Sequence, residues 1–252
     1  MKMREKGNIL KLESVVNNNN NDYQEATNIQ EVEVPQEMLK RIKCGISWFD
    51  EMFGEGFTPG TCGFITGSPG SGKSSMMLTV ANAFAENNIM VSYNSTEEHV
   101  FQLKYIIDRF AFENPFWVSN NGDIDNVLLQ AKKNDIKILI LDSLQTIGCA
   151  KYEAGTRKAM RYVCRKTIDY CKKNYIIGFI VGQVTKQNKM AGPLALKHLA
   201  DFHLNIENCT NLNCLTCEPG TRSLFLEKNR FGPTNVIKKL MLFKEGFKEI
   251  LV

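Results

Sequence analysis

Residues 67–75 read Gly-Ser-Pro-Gly-Ser-Gly-Lys-Ser-Ser, an order that can hold a triphosphate. Glycines at 67, 70 and 72 let the backbone curl until successive N–H groups point inward. The strand-like run Gly63 to Thr66 precedes the loop and a helical pattern follows it. The loop therefore opens on a helix N-terminus, whose positive end favours anions. The spacing Gly67-x-x-x-x-Gly72-Lys73-Ser74 is that of a phosphate-binding loop, with Ser68, Pro69, Gly70, Ser71 and Ser75 completing the cradle. In that role Lys73 neutralises the β- and γ-phosphates and the Ser74 hydroxyl holds Mg²⁺.

Such a site needs an acidic residue near the metal, at the end of another core strand. The stretch Lys-Ile-Leu-Ile-Leu-Asp-Ser supplies it at Asp142. No Asn-Lys-x-Asp guanine-reading sequence occurs, which favours ATP over GTP. Binding is not cleavage, and hydrolysis needs a group that orients and activates water. Glu97 and Glu98, in Tyr-Asn-Ser-Thr-Glu-Glu-His, follow a strand-like run and fall at the carboxyl edge of the sheet, where such folds place ligands. Glu97 is the better candidate and Glu98 the runner-up; the alternative is a pair of acids complementing a helix dipole. Gln183, closing Phe-Ile-Val-Gly-Gln, can sense a γ-phosphate from a third strand.

The elements that must position these groups are legible as alternating periods. Apolar runs at Gly63–Thr66, Ile89–Tyr93, Phe116–Ser119, Lys137–Asp142 and Ile176–Gly182 alternate with helical spacing at Lys73–Phe84, Glu97–Phe110, Ile124–Lys133 and Arg157–Lys173. In the last of these Met160, Cys164, Ile168 and Cys171 form one stripe. Runs apolar throughout, such as Ile-Leu-Ile-Leu, belong to parallel strands covered on both faces. The pattern predicts an α/β fold, a mainly parallel sheet flanked by helices. After about Ala200 strand-like pieces follow one another (Phe202–Ile206, Ser223–Glu227, Val236–Phe243, Lys248–Val252) and predict antiparallel strands appended to the parallel core.

The chain has 252 residues, 43% hydrophobic and 23% charged, with a net charge of +4. That fits a globular domain with a real core, and the mild charge permits a nucleic-acid partner without arguing for one. Residues 1–37, with the run Asn17 to Asp22, read as a disordered Asn-rich tail ahead of a domain at 38–252. No apolar stretch approaches the roughly 20 residues of a membrane span, and Met1 to Glu13 is charged, unlike a secretory signal. An intracellular location is expected, cytoplasmic or nucleoid-associated, with no membrane partner and mostly free thiols among eight cysteines. Residues 208–221 read as an insertion bearing Cys209, Cys214 and Cys217. A structural zinc takes four ligands. His203 is the candidate fourth, and a loop of free thiols is the main expectation, zinc the lesser one.

The order of motifs resembles the RecA-like P-loop ATPases, and most closely their RadA (Sms) branch. The matching stretches are Arg41–Gly60, Ser95–Lys104, Leu141–Ile147, Gly182–Lys186 with Ala191–Leu204, and above all Lys-Asn-Arg-Phe-Gly within Lys228–Asn235, which also resembles the Lys-x-Arg-x-Gly-Pro-Thr pattern of DnaB-type helicases. Two departures stand out. No cysteine precedes Cys44 to build that branch's N-terminal zinc finger, and a Lon-like C-terminal domain is absent from these residues, so a bare motor core is expected. Gln183 stands where the branch carries His. The resemblance implies an ATP- and Mg²⁺-dependent hydrolase acting on single-stranded or branched DNA as a hexameric ring or a filament. It places DNA-contacting loops at Gly148–Lys158 and Thr185–Pro193, with Lys151, Arg157, Lys158, Lys186 and Lys189 as phosphate contacts. It also implies that Lys228 and Arg230 reach a neighbouring protomer's γ-phosphate. Two apart on a strand, they share a face, and no acidic partner is expected beside them. The alternatives are a KaiC-like nucleotide-gated regulator and an inactive ATP-binding accessory subunit.

Overall fold

The structure, a computed structural model, describes residues 26–183, 196–209 and 218–250. The chain divides into two units at the Val34/Pro35 junction. The described part of the first holds a single 3₁₀ turn, Ile29–Glu31, capped by the Asn28 side chain. The second holds every other element.

Its centre is a nine-stranded sheet in the order β3-β2-β4-β5-β1-β6-β7-β8-β9. The strands are β1 (Cys62–Gly67), β2 (Val91–Ser95), β3 (Trp117–Ser119), β4 (Ile138–Asp142), β5 (Ile177–Gln183), β6 (Phe202–Asn208), β7 (Thr221–Asn229), β8 (Val236–Phe243) and β9 (Gly246–Glu249). Helices α1 (Gln36–Leu39), α2 (Ser47–Met52), α3 (Lys73–Glu86), α4 (Val100–Arg109), α5 (Ile124–Lys133) and α6 (Arg157–Asn174), with a 3₁₀ turn at Leu144–Thr146, complete the described elements of the unit. Side chains alternate across the central strands as a pleat requires. Ile65, Ile138, Ile140, Ile177 and Phe179 enter one core with α2 and α3. Phe64, Leu139, Leu141 and Ile180 enter the other with α5 and α6. Two apolar layers on one sheet explain why β1 and β4 are buried along their whole length. The expected α6 stripe, Met160, Cys164, Ile168 and Cys171, is buried in the second layer.

The α2 layer is aromatic. Phe49, Phe53, Phe57, Phe179 and Phe202 stack edge-on or tilted with centroids 4.3–6.4 Å apart. Gly63 makes room for this cluster, since a Cβ there would lie 2.2 Å from the Phe202 ring.

Two expectations shift. Strand β6 pairs parallel with β1, so the antiparallel pairings are β6–β7, β7–β8 and β8–β9. Helix α4 starts at Val100 because His99 caps it in a capping box with Gln102, which leaves Glu97 and Glu98 ahead of the helix. Opposite His203 and Leu204 the β6–β7 register slips by one residue, so Glu227 bulges from the ladder. Among the described residues no helix is long and apolar enough to cross a membrane.

Candidate nucleotide-binding site

Register brings the chemistry to one edge. Thr66 and Gly67 lie beside Gly182 and Gln183, and Ser95 lies beside Asp142. The carboxyl ends of β1, β2, β4 and β5 therefore open on a common front. From β1 the chain turns through residues 68–72 into α3. Gly72, at φ +97°, takes the left-handed conformation that lets the loop close. A Cβ on Gly67 would stand 2.1 Å from the Ile206 carbonyl oxygen, so a side chain has no room where the loop leaves the strand. Lys73, 8% exposed, donates from Nζ to the carbonyls of Gly67 (3.1 Å) and Ser68 (3.0 Å). Burial lowers its pKa, while Asp142 and Glu97 oppose the shift. The Lys73 ammonium is thus held within the loop by the loop's own carbonyls.

Asp142 is 2% exposed. Its Oδ2 accepts the Tyr93 hydroxyl at 2.6 Å, and the Ser74 hydroxyl also bonds this carboxylate. Burial pushes the carboxyl up to about 6, against the Tyr93 and Ser74 bonds and with help from Glu98 and Glu97. A carboxylate so placed calls for a cation. The Ser74 hydroxyl and Asp142 carboxylate are hard oxygen donors in contact, a set that suits Mg²⁺.

The two candidate bases separate by their partners. Glu97 Oε1 accepts from Ser143 Oγ at 2.5 Å and from Gln183 Nε2 at 3.3 Å, joining β2, β4 and β5 across the front. Glu98 folds back instead. Its Oε2 accepts from Ser95 Oγ at 2.9 Å, and its amide donates to the same hydroxyl at 3.1 Å.

Other predicted residues fall elsewhere. Lys151, Arg157 and Lys158 are exposed on the connection from β4 to α6 and on the first turn of α6. Lys186, Lys189, Cys214 and Cys217 lie outside the described residues. Lys228 and Arg230 project to one side as expected, but both meet protein. Arg230 Nη1 lies 3.2 Å from Asp201 Oδ1, and Nη2 donates to the His198 carbonyl. Lys228 Nζ donates to the carbonyls of Lys197, His198 and Ala200, the last at 2.6 Å. The expectation of no acidic partner is thereby corrected: the turn before β6 carries Asp201 into reach, 29 residues upstream of Arg230. His203 is corrected too. Both ring nitrogens are engaged within the sheet, Nε2 with Thr66 and Nδ1 with Glu227, so neither is free for zinc. Cys209 is disulfide-bonded rather than a free thiol, whereas Cys44, Cys62, Cys149, Cys164 and Cys171 are free. Among the described residues no group of three or more His, Cys, Asp or Glu side chains is placed to hold a metal ion.

Residues 64–194 match the family described as AAA, "ATPase family associated with various cellular activities", over more than half of the chain. This chain belongs to that family. The protein named DNA repair protein RadA of Aquifex aeolicus is 31% identical over 218 residues, 85% of this chain and 47% of its own length. Its namesake in Campylobacter jejuni is 33% identical over 216 residues, 84% of this chain and 46% of its own. The chain thus spans about half the length of these relatives. Among solved structures, a KaiC-like protein of Pyrococcus horikoshii aligns at TM-score 0.66 and 19% identity, over 84% of this chain and 99% of that one. The RadB recombinase aligns at 0.61 and 20%, over 83% and 99%. A DnaB-like replicative helicase aligns at 0.69 and 14%, over 81% and 60%. These likenesses show the fold, a RecA-like P-loop domain.

In this AAA ATPase three side chains not singled out from the sequence hold the site together. Tyr93 fixes Asp142 and Ser143 fixes Glu97. Arg222 on β7 donates from Nε to the Ser71 carbonyl at 2.9 Å and from Nη1 to Gly220 at 2.8 Å, bracing the outside of the phosphate loop. Tyr93 and Ser143 had a weak signal, a hydroxyl within a buried strand and a hydroxyl following the acidic residue. Arg222 had none, because its partner is 151 residues away.

Proposed function

We propose that this chain is an ATP- and Mg²⁺-dependent motor core that assembles on single-stranded or branched DNA as a ring or filament. It serves DNA recombination or repair through strand exchange, branch migration or unwinding. The observation that carries the hydrolase part is the convergence of Lys73, Ser74–Asp142 and Glu97–Gln183 on one sheet edge. The DNA part is supported by relatives named for DNA repair and by exposed cations on the connection from β4 to α6.

Ser74 and Asp142 would hold Mg²⁺, which would supply neutralisation of the phosphate charge. Lys73 faces the same phosphates. Glu97 takes the proton of the attacking water, and Gln183 fixes the carboxylate while reporting the γ-phosphate to the loop that follows β5. Glu97→Gln is expected to keep ATP binding and to lower turnover by about 10²–10⁴, the usual contribution of a positioned base. Isothermal titration beside steady-state turnover checks this; a larger loss in Glu98→Gln would reverse the choice of acid.

DNA-stimulated ATP hydrolysis is the deciding measurement. Basal turnover indifferent to single-stranded DNA would point to a nucleotide-gated regulator, and ATP binding without turnover to an accessory subunit. DNA affinity should fall steeply with salt, because cations on both loops displace counterions. The Lys186→Ala/Lys189→Ala double variant should flatten the plot of log K against log salt by roughly 1–2 in slope. An unchanged slope removes that loop from the interface.

A further inference from the structure

His203 is 2% exposed in the middle of the sheet, and both its nitrogens are committed. Nε2 lies 2.6 Å from Thr66 Oγ1, and Nδ1 lies 2.6 Å from Glu227 Oε2. Thr66 is the last residue before the phosphate loop's Gly67. Its hydroxyl also reaches Asn205 Oδ1 at 3.0 Å. The bulge in β7 brings Glu227 to the ring, and Lys197 pairs with the same carboxylate oxygen at 3.0 Å.

The protons in this chain can be counted. Asn205 Nδ2 donates to Glu207 Oε1 at 2.7 Å, so the amide oxygen is the atom facing Thr66. A carboxylate only accepts, so Nδ1 carries hydrogen toward Glu227 in either charge state. In the neutral ring Nε2 is a lone pair and takes the one proton of the Thr66 hydroxyl, which leaves Asn205 Oδ1 without a donor from Thr66. In the charged ring Nε2–H donates to Thr66, whose hydroxyl turns to Asn205, and every bond from Glu227 to Glu207 is filled.

We propose that His203 is a positioning residue of the phosphate loop, whose ring proton sets the direction of the Thr66 hydroxyl and thereby the loop's grip on a nucleoside triphosphate. This rests on the nucleotide-site reading above. The charged groups around the ring are Glu227 and Lys228 from β7, Lys197 from the turn before β6, and Glu207 on its own strand through Asn205. Asp201 in that turn is committed to the Cys62 amide and Arg230, and α6 reaches this corner through Lys172, which acts on Lys228. Burial lowers the ring pKa and Lys197 adds to this, while Glu227 opposes it. The neutral ring therefore prevails at neutral pH. The folded protein resists protonation, so this group's share of stability is present above the ordinary histidine value of about 6.5. It is lost as pH falls through the window below that value toward the folded pKa.

A trianionic or tetra-anionic ligand held beside Thr66 favours the charged ring, and linkage makes the effect mutual. The test is a pH titration of ring-labelled full-length protein by NMR, with and without a non-hydrolysable ATP analogue and Mg²⁺. The chain has three histidines, and the exposed His99 and His198 serve as internal references. The analogue should raise the His203 midpoint by about half a pH unit, a roughly threefold difference in affinity between the two ring states. Glu227→Gln, at a half-exposed position, should lower the midpoint by removing the carboxylate that supports the charged ring. His203→Gln should remove the histidine's share of the change in analogue affinity between about pH 5 and 7, leaving the share that belongs to the Asp142 carboxyl. An unmoved midpoint, or an unchanged affinity profile in folded His203→Gln protein, overturns the proposal and leaves the nucleotide site standing. No analogue binding at any pH would overturn both.

Discussion

Lys73→Ala is expected to reduce ATP turnover to background without unfolding the protein. Alanine is the best helix former, and position 73 opens α3, so the backbone loses nothing by the change. The loss is electrostatic. Lys73 is the cation inside the loop, 8% exposed, and its ammonium already bonds two loop carbonyls. A charge-assisted bond is worth about 1.5–3 kcal/mol, so ATP affinity should fall roughly 10- to 150-fold. Turnover should fall further, because charge grows on the transferred group in the transition state. Lys73→Arg tests geometry apart from charge: the broader guanidinium cannot occupy the space an ammonium fills between Gly67 and Ser68, so it too should fail. ATPase assays at saturating ATP, beside a thermal melt, measure both parts. Turnover near the wild-type rate in the alanine variant would sink the nucleotide-site assignment.

The parts of this site that could be read in advance are those encoded locally. The loop at 67–75 is contiguous, and its flanking strand and helix are announced by a change of hydrophobic period. The same holds for Asp142, which ends a five-residue strand buried throughout. Readings failed where the partner comes from far along the chain. Tyr93 meets Asp142 across 49 residues and Arg222 meets Ser71 across 151. No spacing rule connects such pairs, because the sheet order that joins β6 and β7 to β1 is set by tertiary packing. The parallel pairing of β6 was missed for the same reason. A strand that follows other strands in sequence looks like a hairpin partner, yet Phe202 is drawn under Gly63 by the aromatic cluster. The start of α4 was misjudged differently: His99 is an uncommon cap, and only its pairing with Gln102 reveals it.

Arg230→Ala is expected to lower ATP turnover by about 10³–10⁵, the contribution of a trans arginine to phosphoryl transfer. In the isolated chain Arg230 is bonded to Asp201, and magnitudes decide whether that pairing blocks the role. The guanidinium is 47% exposed but the Asp201 carboxylate only 3%, so giving up the pair costs more than a surface ion pair does, up to about 3–5 kcal/mol. A rate factor of 10³–10⁵ corresponds to about 4–7 kcal/mol. The expected gain matches or exceeds that cost, so a neighbour's γ-phosphate would draw Arg230 away from Asp201, which would keep its bond from the Cys62 amide. Of the five guanidinium N–H donors, those on Nη1 and Nη2 meet Asp201 and His198, so Nε–H is still available. Mixing separates trans action from a purely internal brace. Arg230→Ala protein combined with Lys73→Ala protein, each inactive alone, should regain activity at interfaces that pair an intact arginine with an intact loop. If Arg230 only holds Asp201 within its own chain, the mixture stays inactive despite co-assembly and Arg230→Ala melts several degrees lower. Full activity of Arg230→Ala alone would exclude any part for this residue in the chemistry.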